Sequence, residues 1–259
     1  LHGAADALLR ELTTRGFAAR DIEQAGLIFK PERGTYWARF RARLMFPLYN
    51  NMGQVAGFTG RILPGTASAE QAIAKYINSP ETPIFSKSKI LYGFQVAKKH
   101  IRDENAVVLV EGQMDCIMTY QDRVKNVVAS SGTALTHEHL QALRRFADRL
   151  LLCFDNDEAG QRAIERGIDM ALAHDFSVGV IKLLDKDPSD IVRQEPGRMR
   201  ACVAGAQPVR DFYFERYLPK SARAAPASDA YQRGVRGLLI KIKSIASFLE
   251  QASWIKYLA

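Results

Sequence analysis

The feature that most constrains this 259-residue chain is a short apolar run that stops at two acids. The run spans residues 150–154 and is followed by Asp155 and Asp157. An apolar run without polar interruption predicts a strand buried on both faces, which is typical of a parallel sheet. Ligands bind at the carboxyl ends of such strands in open α/β sheets. Two acids this close repel each other unless a cation or a proton intervenes, so the pattern favours a hard ion such as Mg²⁺.

A second strand-like run ends in the same way. Residues 107–110 are all Val or Leu, and Glu111 and Gly112 follow them, with Asp115 in the first turn of a helical pattern. If the two predicted strands are neighbours, Glu111 converges on the acids at 155 and 157. The alternative is that these acids are ordinary helix N-caps, and for either motif alone that alternative stays open.

The two motifs together, strand–Glu-Gly-x-x-Asp–helix and strand–Asp-x-Asp–helix, resemble the Toprim domain. This metal-binding α/β module is shared by bacterial primases, topoisomerases and some nucleases. Its Glu is matched by Glu111 and its Asp-x-Asp by Asp155 and Asp157. The flanking sequence is similar, in the same order along the chain, to bacterial DnaG-type DNA primases in residues 39–47, 57–61, 75–85 and 91–93.

The resemblance implies an α/β fold built around a Toprim-type parallel sheet. We expect an N-terminal α+β basic subdomain over residues 1–105, the Toprim metal-binding domain over 106–190, and a C-terminal helical subdomain over 191–259. The implied activity is template-directed synthesis of short RNA primers on single-stranded DNA by metal-dependent nucleotidyl transfer.

The resemblance also implies roles for individual residues. Glu111, Asp155 and Asp157 are the expected catalytic residues, and together with Asp187 they are expected to hold two or more Mg²⁺ or Mn²⁺ ions. Glu111 is either a metal ligand or the base that accepts the hydroxyl proton. Asp187 and Pro188 match the family's Asp-Pro-Asp pattern, but Ser189 stands where the second acid is usual.

Basic residues upstream are candidates for binding phosphates. Arg39, Arg41 and Arg43 alternate, which would place them on one face of an extended chain. Residues 64–88 are predicted to form a long irregular connection, which is either functional or a surface linker. A solvated sheet face is the other interpretation of the arginines. The resemblance implies nucleotide or template contacts at Arg39, Arg43, Arg61, Lys75, Asn78, Lys87 and Asp115.

Other patterns predict elements without assigning chemistry. Residues 44–49 and 54–58 are predicted to form a hairpin, and residues 124–129 and 178–184 are predicted strands of the central sheet. Residues 229–258 carry a long helical pattern whose apolar stripe we assign to the core. His137 and His139 lack sequence neighbours at metal-ligand spacing, so we expect both on the surface.

Composition agrees with a nucleic-acid enzyme of the cytoplasm. Lys and Arg number 36 against 28 Asp and Glu, a net charge of +8 that suits a polyanionic partner, although a merely basic protein remains the alternative. No apolar tract is long enough to cross a bilayer, so we expect no membrane partner. The three cysteines are widely spaced, which predicts reduced residues and no zinc site in this fragment.

The expected partners are single-stranded DNA and ribonucleoside triphosphates. The resemblance adds the replicative helicase and single-strand binding protein, through domains that are not in this chain. The chain has neither an initial Met nor a signal peptide, so we expect a fragment or a trimmed chain. Two other functions stay open at this point: a Toprim-type nuclease or topoisomerase fragment, and a single-stranded DNA binding core that is inactive without its missing domains.

Overall fold

The computed structural model describes residues 6–32, 34–63, 74–183, 185–223, 226, 228–245 and 247–259. Within these ranges the strands are β1 Ile28–Phe29, β2 Trp37–Ala38, β3 Arg43–Tyr49, β4 Val55–Ile62, β5 Tyr76–Asn78, β6 Ala106–Val110, β7 Val127–Ala129, β8 Arg149–Leu152, β9 Ser177–Val180 and β10 Gln207–Pro208. The α-helices are α1 Ala7–Thr14, α2 Ala19–Gln24, α3 Phe94–Glu104, α4 Gln113–Gln121, α5 His137–Arg144, α6 Glu158–Leu172, α7 Pro188–Gln194, α8 Arg198–Ala204, α9 Val209–Tyr217, α10 Lys220–Arg223, α11 Asp229–Lys243 and α12 Phe248–Leu258. Lys87–Lys89 form a 3₁₀ turn.

The central sheet has the strand order β10-β9-β8-β6-β7. β6 pairs in parallel with β7 on one side and with β8 on the other, and β9 extends the parallel set beyond β8. β10 adds a short antiparallel edge that the sequence did not predict. This arrangement confirms the predicted α/β fold with a central parallel sheet.

The alternation of side chains along β6 explains why the whole run is apolar. Val107 and Leu109 belong to a core that packs against α3, α5, α6 and the C-terminal helices α9, α11 and α12. Val108 and Val110 belong to the opposite core, which packs against α4, α7 and α8. Successive residues of a strand point to opposite faces, so a sheet covered on both faces requires apolar residues at every position.

An antiparallel sheet, β3-β4-β5, precedes the central one. The predicted hairpin is confirmed as β3 and β4, and Asn50 accepts hydrogen bonds from the backbone N–H groups of Met52 and Gln54 within the turn. Gly53 has φ +81°, a conformation that glycine adopts without strain. An isolated bridge between Tyr92 and Ala129 then joins the N-terminal segment to the free edge of β7.

The structure corrects three predicted elements of the N-terminal half and the sheet. Part of the segment predicted to be irregular, residues 64–88, is strand β5, which pairs with β4, while residues 64–73 lie outside the described residues. The predicted strand at 124–129 begins at Val127, and Asn126 before it donates its side-chain amide to the carbonyl of Ala106. β9 ends at Val180 and not near residue 184, which is itself outside the described part of the chain.

The arginine alternation also differs from the prediction. Residues 39–42 form a bend and a turn, and Ala42 has φ +50°, so Arg39, Arg41 and Arg43 do not share one extended strand face. Arg43 is the first residue of β3. The alternating arginines do not line one face because the chain turns between Arg41 and Arg43.

The C-terminal pattern divides into two helices, α11 and α12. The Ser247 hydroxyl caps α12 by accepting a hydrogen bond from the Glu250 N–H. Leu238 and Ile242 are buried as predicted, but Phe248 and Leu249 are 83% and 87% exposed, so the predicted core stripe does not continue into α12. Among the helices that the structure describes, none has the length and apolar character needed to cross a membrane.

Candidate active site

The ends of β6 and β8 bring the first two predicted site residues together. The strands are parallel neighbours with Leu109 opposite Leu152, so the residues that follow them emerge at the same edge of the sheet. The backbone N–H of Asp155 donates a 3.2 Å hydrogen bond to Oε1 of Glu111. The expected convergence of Glu111 on the Asp-x-Asp motif is therefore present in the fold.

Asp157 is the N-cap of α6, and its Oδ1 accepts a 2.7 Å hydrogen bond from the Gly160 N–H. The capping interpretation is thus correct for this residue, and it does not exclude a second role, because a capping carboxylate keeps further lone pairs. Gly160 is required for the turn. A Cβ at this position would lie 2.0 Å from the carbonyl oxygen of Asp155.

Asp187 reaches the same edge from the segment after β9. It is the N-cap of α7, with Oδ1 accepting a 2.8 Å hydrogen bond from the Asp190 N–H. The Asn156 N–H donates to the carbonyl of Lys186 at 2.8 Å, which joins the two acidic turns.

Asp115, which we expected among the nucleotide or template contacts, lies with the acids. Its Oδ2 accepts a hydrogen bond from the Gly112 N–H at 3.2 Å, and its Oδ1 accepts one from the Ser189 hydroxyl at 2.6 Å. We call the five residues Glu111, Asp115, Asp155, Asp157 and Asp187 the acidic edge.

Burial and mutual repulsion raise the pKa values within the acidic edge. Burial, followed by the negative charges of the other four acids, raises the pKa of Asp155 to about 7. Burial raises the pKa of Glu111, and Asp157 and Asp115 add to the effect, while the hydrogen bond from the Asp155 N–H opposes it. Burial also raises the pKa of Asp115 against the opposing hydrogen bond from Ser189. Strongly perturbed carboxyl groups at a sheet edge are typical of functional sites.

The acidic edge has the donor chemistry for a hard divalent cation, since all of its ligating atoms are carboxylate oxygens. Among the described residues, no group of three or more His, Cys, Asp or Glu side chains is arranged to hold one ion in common. Mg²⁺ is usually held by one or two carboxylates together with substrate phosphates and waters. The residues fit that mode of binding and do not form an all-protein cage.

The polar residues Asn78 and Lys87 lie close to the acidic edge. The turn that contains Ser131 lies between them and Glu111, and the sequence did not assign this turn to the site. Asn78 and Lys87 line a small cavity together with Ser130, Ser131 and Thr133. The Ser131 N–H donates to the backbone carbonyl of Glu111 at 2.9 Å. The Asn78 Oδ1 and Ser131 Oγ atoms are buried and have no hydrogen-bond partner among the described residues.

The remaining predicted contacts have separate surroundings. The guanidinium of Arg43 donates to the backbone carbonyls of Gly60, Ala74 and Lys75 at 3.0 to 3.3 Å, so its hydrogen bonds hold β4 and β5 in place. The Arg61 guanidinium lies 5.8 Å from the ring centroid of Tyr76. The side chain of Arg39 lies over Phe29. Lys75 is exposed just before β5.

Ser189 and Ser131 were not predicted as site residues. Ser189 was noted as a departure from an acidic pattern, and its partner Asp115 lies 74 positions away, so no local signal links them. Thr136 caps α5 by accepting a hydrogen bond from the His139 N–H. His139 is buried and not on the surface, because it faces the core from α5. The Nδ1 atom of His137 lies 2.8 Å from the Nε2 atom of His174.

Comparison with known proteins agrees with this geometry. Residues 2–98 match the family model for the N-terminal domain of the DNA primase catalytic core, and residues 108–192 match a Toprim-like model. A DNA primase of Clostridium acetobutylicum is 41% identical over 189 residues, covering 72% of this chain and 30% of that protein. The chain spans about a third of the length of the curated relatives it matches.

Solved structures give the same result. The RNA polymerase domain of Mycobacterium tuberculosis primase DnaG is 31% identical, with a TM-score of 0.80 and coverage of 99% of this chain and 82% of that one. A DnaG primase catalytic domain bound to single-stranded DNA is 30% identical, with a TM-score of 0.78 and coverage of 98% and 81%. On this likeness over nearly its whole length, the chain belongs to the family of DnaG-type DNA primase catalytic cores with a Toprim-like domain.

Proposed function

We propose that this chain synthesises short RNA primers on single-stranded DNA by nucleotidyl transfer. The observation that supports the proposal most strongly is the meeting of Glu111, Asp155 and Asp157 at the adjoining ends of β6 and β8. In the reaction, a ribonucleotide 3′-hydroxyl attacks the α-phosphate of an incoming triphosphate and pyrophosphate leaves. Single-stranded DNA as template is supported by the relative that binds it and by the net charge of +8.

The acidic edge supplies the ligands for two or more Mg²⁺ or Mn²⁺ ions. Asp155, Asp157 and Asp187 hold them in this proposal, with Glu111 as a further ligand or as the base. Ions held there would supply charge neutralisation for the triphosphate and the leaving group. Without a bound cation, burial raises the pKa of Glu111.

Two polar residues near the acidic edge, Asn78 and Lys87, are proposed to contact the nucleotide. Lys87 provides a positive charge for its phosphates, and Asn78 provides a side-chain amide for hydrogen bonds. Arg39, Arg61 and Lys75 are proposed to contact template phosphates, which would make affinity depend steeply on salt. Arg43 stabilises β4, which carries Arg61, and the segment that carries Lys75.

The wider assignments are part of the same proposal. The chain divides into an N-terminal basic subdomain over residues 1–105, a Toprim domain over 106–190 and a helical subdomain over 191–259. The protein acts in the cytoplasm. It meets the replicative helicase and single-strand binding protein through parts of a longer protein.

One incubation tests the function. The chain is mixed with labelled single-stranded DNA, the four ribonucleotides and Mg²⁺ or Mn²⁺, beside Asp155→Asn and the control Asp103→Asn, which changes an exposed acid of α3. The proposal predicts RNA that depends on the metal, persists in Asp103→Asn and is lost in Asp155→Asn. Metal-dependent cleavage of the DNA without RNA would overturn it in favour of a Toprim nuclease, and DNA binding with neither product would favour a binding core.

A further inference from the structure

The small ribbon of β1 and β2 carries two aromatic rings side by side on its outer face. Phe29 is paired directly with Trp37, and Ile28 with Ala38. Directly opposed residues of an antiparallel pair project from the same face, so the two rings are neighbours. Phe29 is 38% exposed and Trp37 is 42% exposed, whereas Ile28, on the other face, is 2% exposed. The inner face therefore anchors the ribbon and the outer face presents its rings to solvent.

A cation accompanies each exposed ring. The Arg39 guanidinium lies 5.7 Å from the ring centroid of Phe29, and the Arg41 guanidinium lies 4.8 Å from that of Trp37. At the end of the ribbon, the Lys30 ammonium lies 5.9 Å from the ring of Tyr36. We call these six residues the aromatic ribbon.

The cations of the aromatic ribbon have no counter-ion among the residues that the structure describes. In the described part of the chain, no ion pair involves Lys30, Arg39 or Arg41. The buried Nε of Arg39 also has no hydrogen-bond partner among the described residues. Three cations without counter-ions beside exposed rings favour an anionic partner that also offers flat apolar groups.

The same pairing recurs in the next sheet of the subdomain. Arg61 on β4 is directly opposite Tyr76 on β5, and its guanidinium lies 5.8 Å from the Tyr76 ring. Residues 39–42 connect β2 to β3, the strand that pairs with β4. Ring and guanidinium pairs therefore occur on two consecutive sheets of the N-terminal half.

We propose that the aromatic ribbon is a stacking platform for the bases of single-stranded DNA. The inference rests on the proposed function, because it adds a base-binding surface for the same template. Phe29 and Trp37 stack on bases, while Arg39, Arg41 and Lys30 contact the phosphates between them. Aromatic rings beside a positively charged track are the general solution for binding single strands without sequence preference, because every base offers a π-face. Duplex DNA hides those faces, so the platform discriminates against it.

The fluorescence of Trp37 provides a direct test. The chain has two tryptophans, and the other, Trp254, is 5% exposed in the core. In a Trp254→Phe variant, titration with oligo(dT) in EDTA is expected to quench Trp37, while an abasic oligonucleotide of equal length and charge leaves its emission unchanged. If that variant is too unstable, the same titration is made on the unaltered chain, where the buried Trp254 is shielded from the oligonucleotide.

Binding affinities complete the experiment. Phe29→Ala and Trp37→Ala are each expected to weaken binding of oligo(dT) about 5- to 30-fold by fluorescence anisotropy, and to leave binding of the abasic strand unchanged. The control is Phe248→Ala, which removes a ring that is 83% exposed on α12. This variant is expected to bind both strands like the unaltered chain.

Two results would overturn the inference, and they differ in what they mean for the proposed function. Unchanged Trp37 emission together with unchanged affinity of Phe29→Ala and Trp37→Ala for oligo(dT) would remove the platform and leave template binding elsewhere on the chain. In that case metal-dependent RNA synthesis by the two variants would retain the proposed function. Failure of the unaltered chain to bind either strand would remove the platform and the proposed function together.

Discussion

The Ser189 hydroxyl donates a 2.6 Å hydrogen bond to Asp115 Oδ1, and this contact ties α7 to α4 at the acidic edge. Asp187 caps α7 and Glu111 immediately precedes the turn into α4, so the contact sets the distance between two arms of the site. Because the Gly112 N–H binds the other oxygen of Asp115, the carboxylate is held at both ends. Ser189 therefore acts as a positioning residue for the acids around it.

Replacing Ser189 should reveal that role. Ser189→Ala is expected to lower the free energy of unfolding by about 1–2 kcal/mol, because a half-buried carboxylate oxygen loses its donor. Ser189→Asp is expected to cost more, since it places a second carboxylate against Asp115, and added Mg²⁺ should recover part of the loss. Urea denaturation measures the stability of both Ser189 variants. The control is Ser177→Ala, which changes an exposed serine of β9. Equal stability of Ser189→Ala and the unaltered chain would contradict the assignment.

The raised pKa of Asp155 predicts how stability depends on pH without metal. The pKa is about 7 in the folded chain against 3.8 for an unperturbed Asp, so the folded state binds an extra proton between these values. The contribution of Asp155 to the free energy of unfolding is therefore largest below about pH 4, and it is lost as the pH rises through about 7.

The measurement is urea denaturation in EDTA at pH 5 and pH 8. Asp155→Asn is expected to be less sensitive to pH than the unaltered chain and relatively more stable at pH 8, because the amide carries no charge in the acidic edge. The exposed variant Asp103→Asn should keep the original pH dependence. An Asp155→Asn chain with an unchanged dependence on pH would show that Asp155 titrates normally.

Gly160 is predicted to be essential for the geometry of the acidic turn. Gly160→Ala forces a Cβ to within 2.0 Å of the Asp155 carbonyl oxygen, so the turn or the first turn of α6 must shift. We expect a loss of about 1–3 kcal/mol in stability and a larger relative loss of RNA synthesis. Gly205→Ala is the matched control, because Gly205 has φ −88° and its added Cβ would meet Ala201 at 3.4 Å. Unaltered activity in Gly160→Ala would contradict the requirement for this close approach of the two residues.

The sheet and the meeting of its acids at one edge could be predicted from the sequence because both depend on local patterns. Apolar runs that end in acids identify the strands and place Glu111 and Asp155 at their carboxyl ends. The contact between Ser189 and Asp115 could not be predicted, since it depends on how α7 packs against α4. The prediction for the arginines at 39, 41 and 43 was wrong for a similar reason: the turn at Ala42 breaks an alternation that is regular in the sequence.

Substitution of Arg43 and of Arg61 should distinguish an arginine that stabilises the fold from one that binds template. Arg43→Ala leaves the carbonyls of Gly60, Ala74 and Lys75 without their shared donor, so we expect a loss of about 1–3 kcal/mol in stability. Arg61→Ala should cost little stability and should reduce the salt dependence of single-stranded DNA binding by about 0.7 in the slope of log K against log salt. Thermal unfolding and binding at several salt concentrations measure the two effects. Lost stability in Arg61→Ala together with reduced salt dependence in Arg43→Ala would instead assign the structural role to Arg61 and template binding to Arg43.

Extension of a preformed RNA primer on a DNA template tests most directly whether the acidic edge carries out nucleotidyl transfer. This reaction requires nucleotidyl transfer but not initiation. The unaltered chain, Glu111→Gln, Asp155→Asn and Asp103→Asn are compared with Mg²⁺ or Mn²⁺ by following the primer length and the pyrophosphate released. We expect template-dependent extension with one pyrophosphate per nucleotide added, retained in Asp103→Asn and reduced at least about 100-fold in the two acidic-edge variants. Extension that survives in Asp155→Asn at the unaltered rate would contradict the placement of the chemistry at the acidic edge.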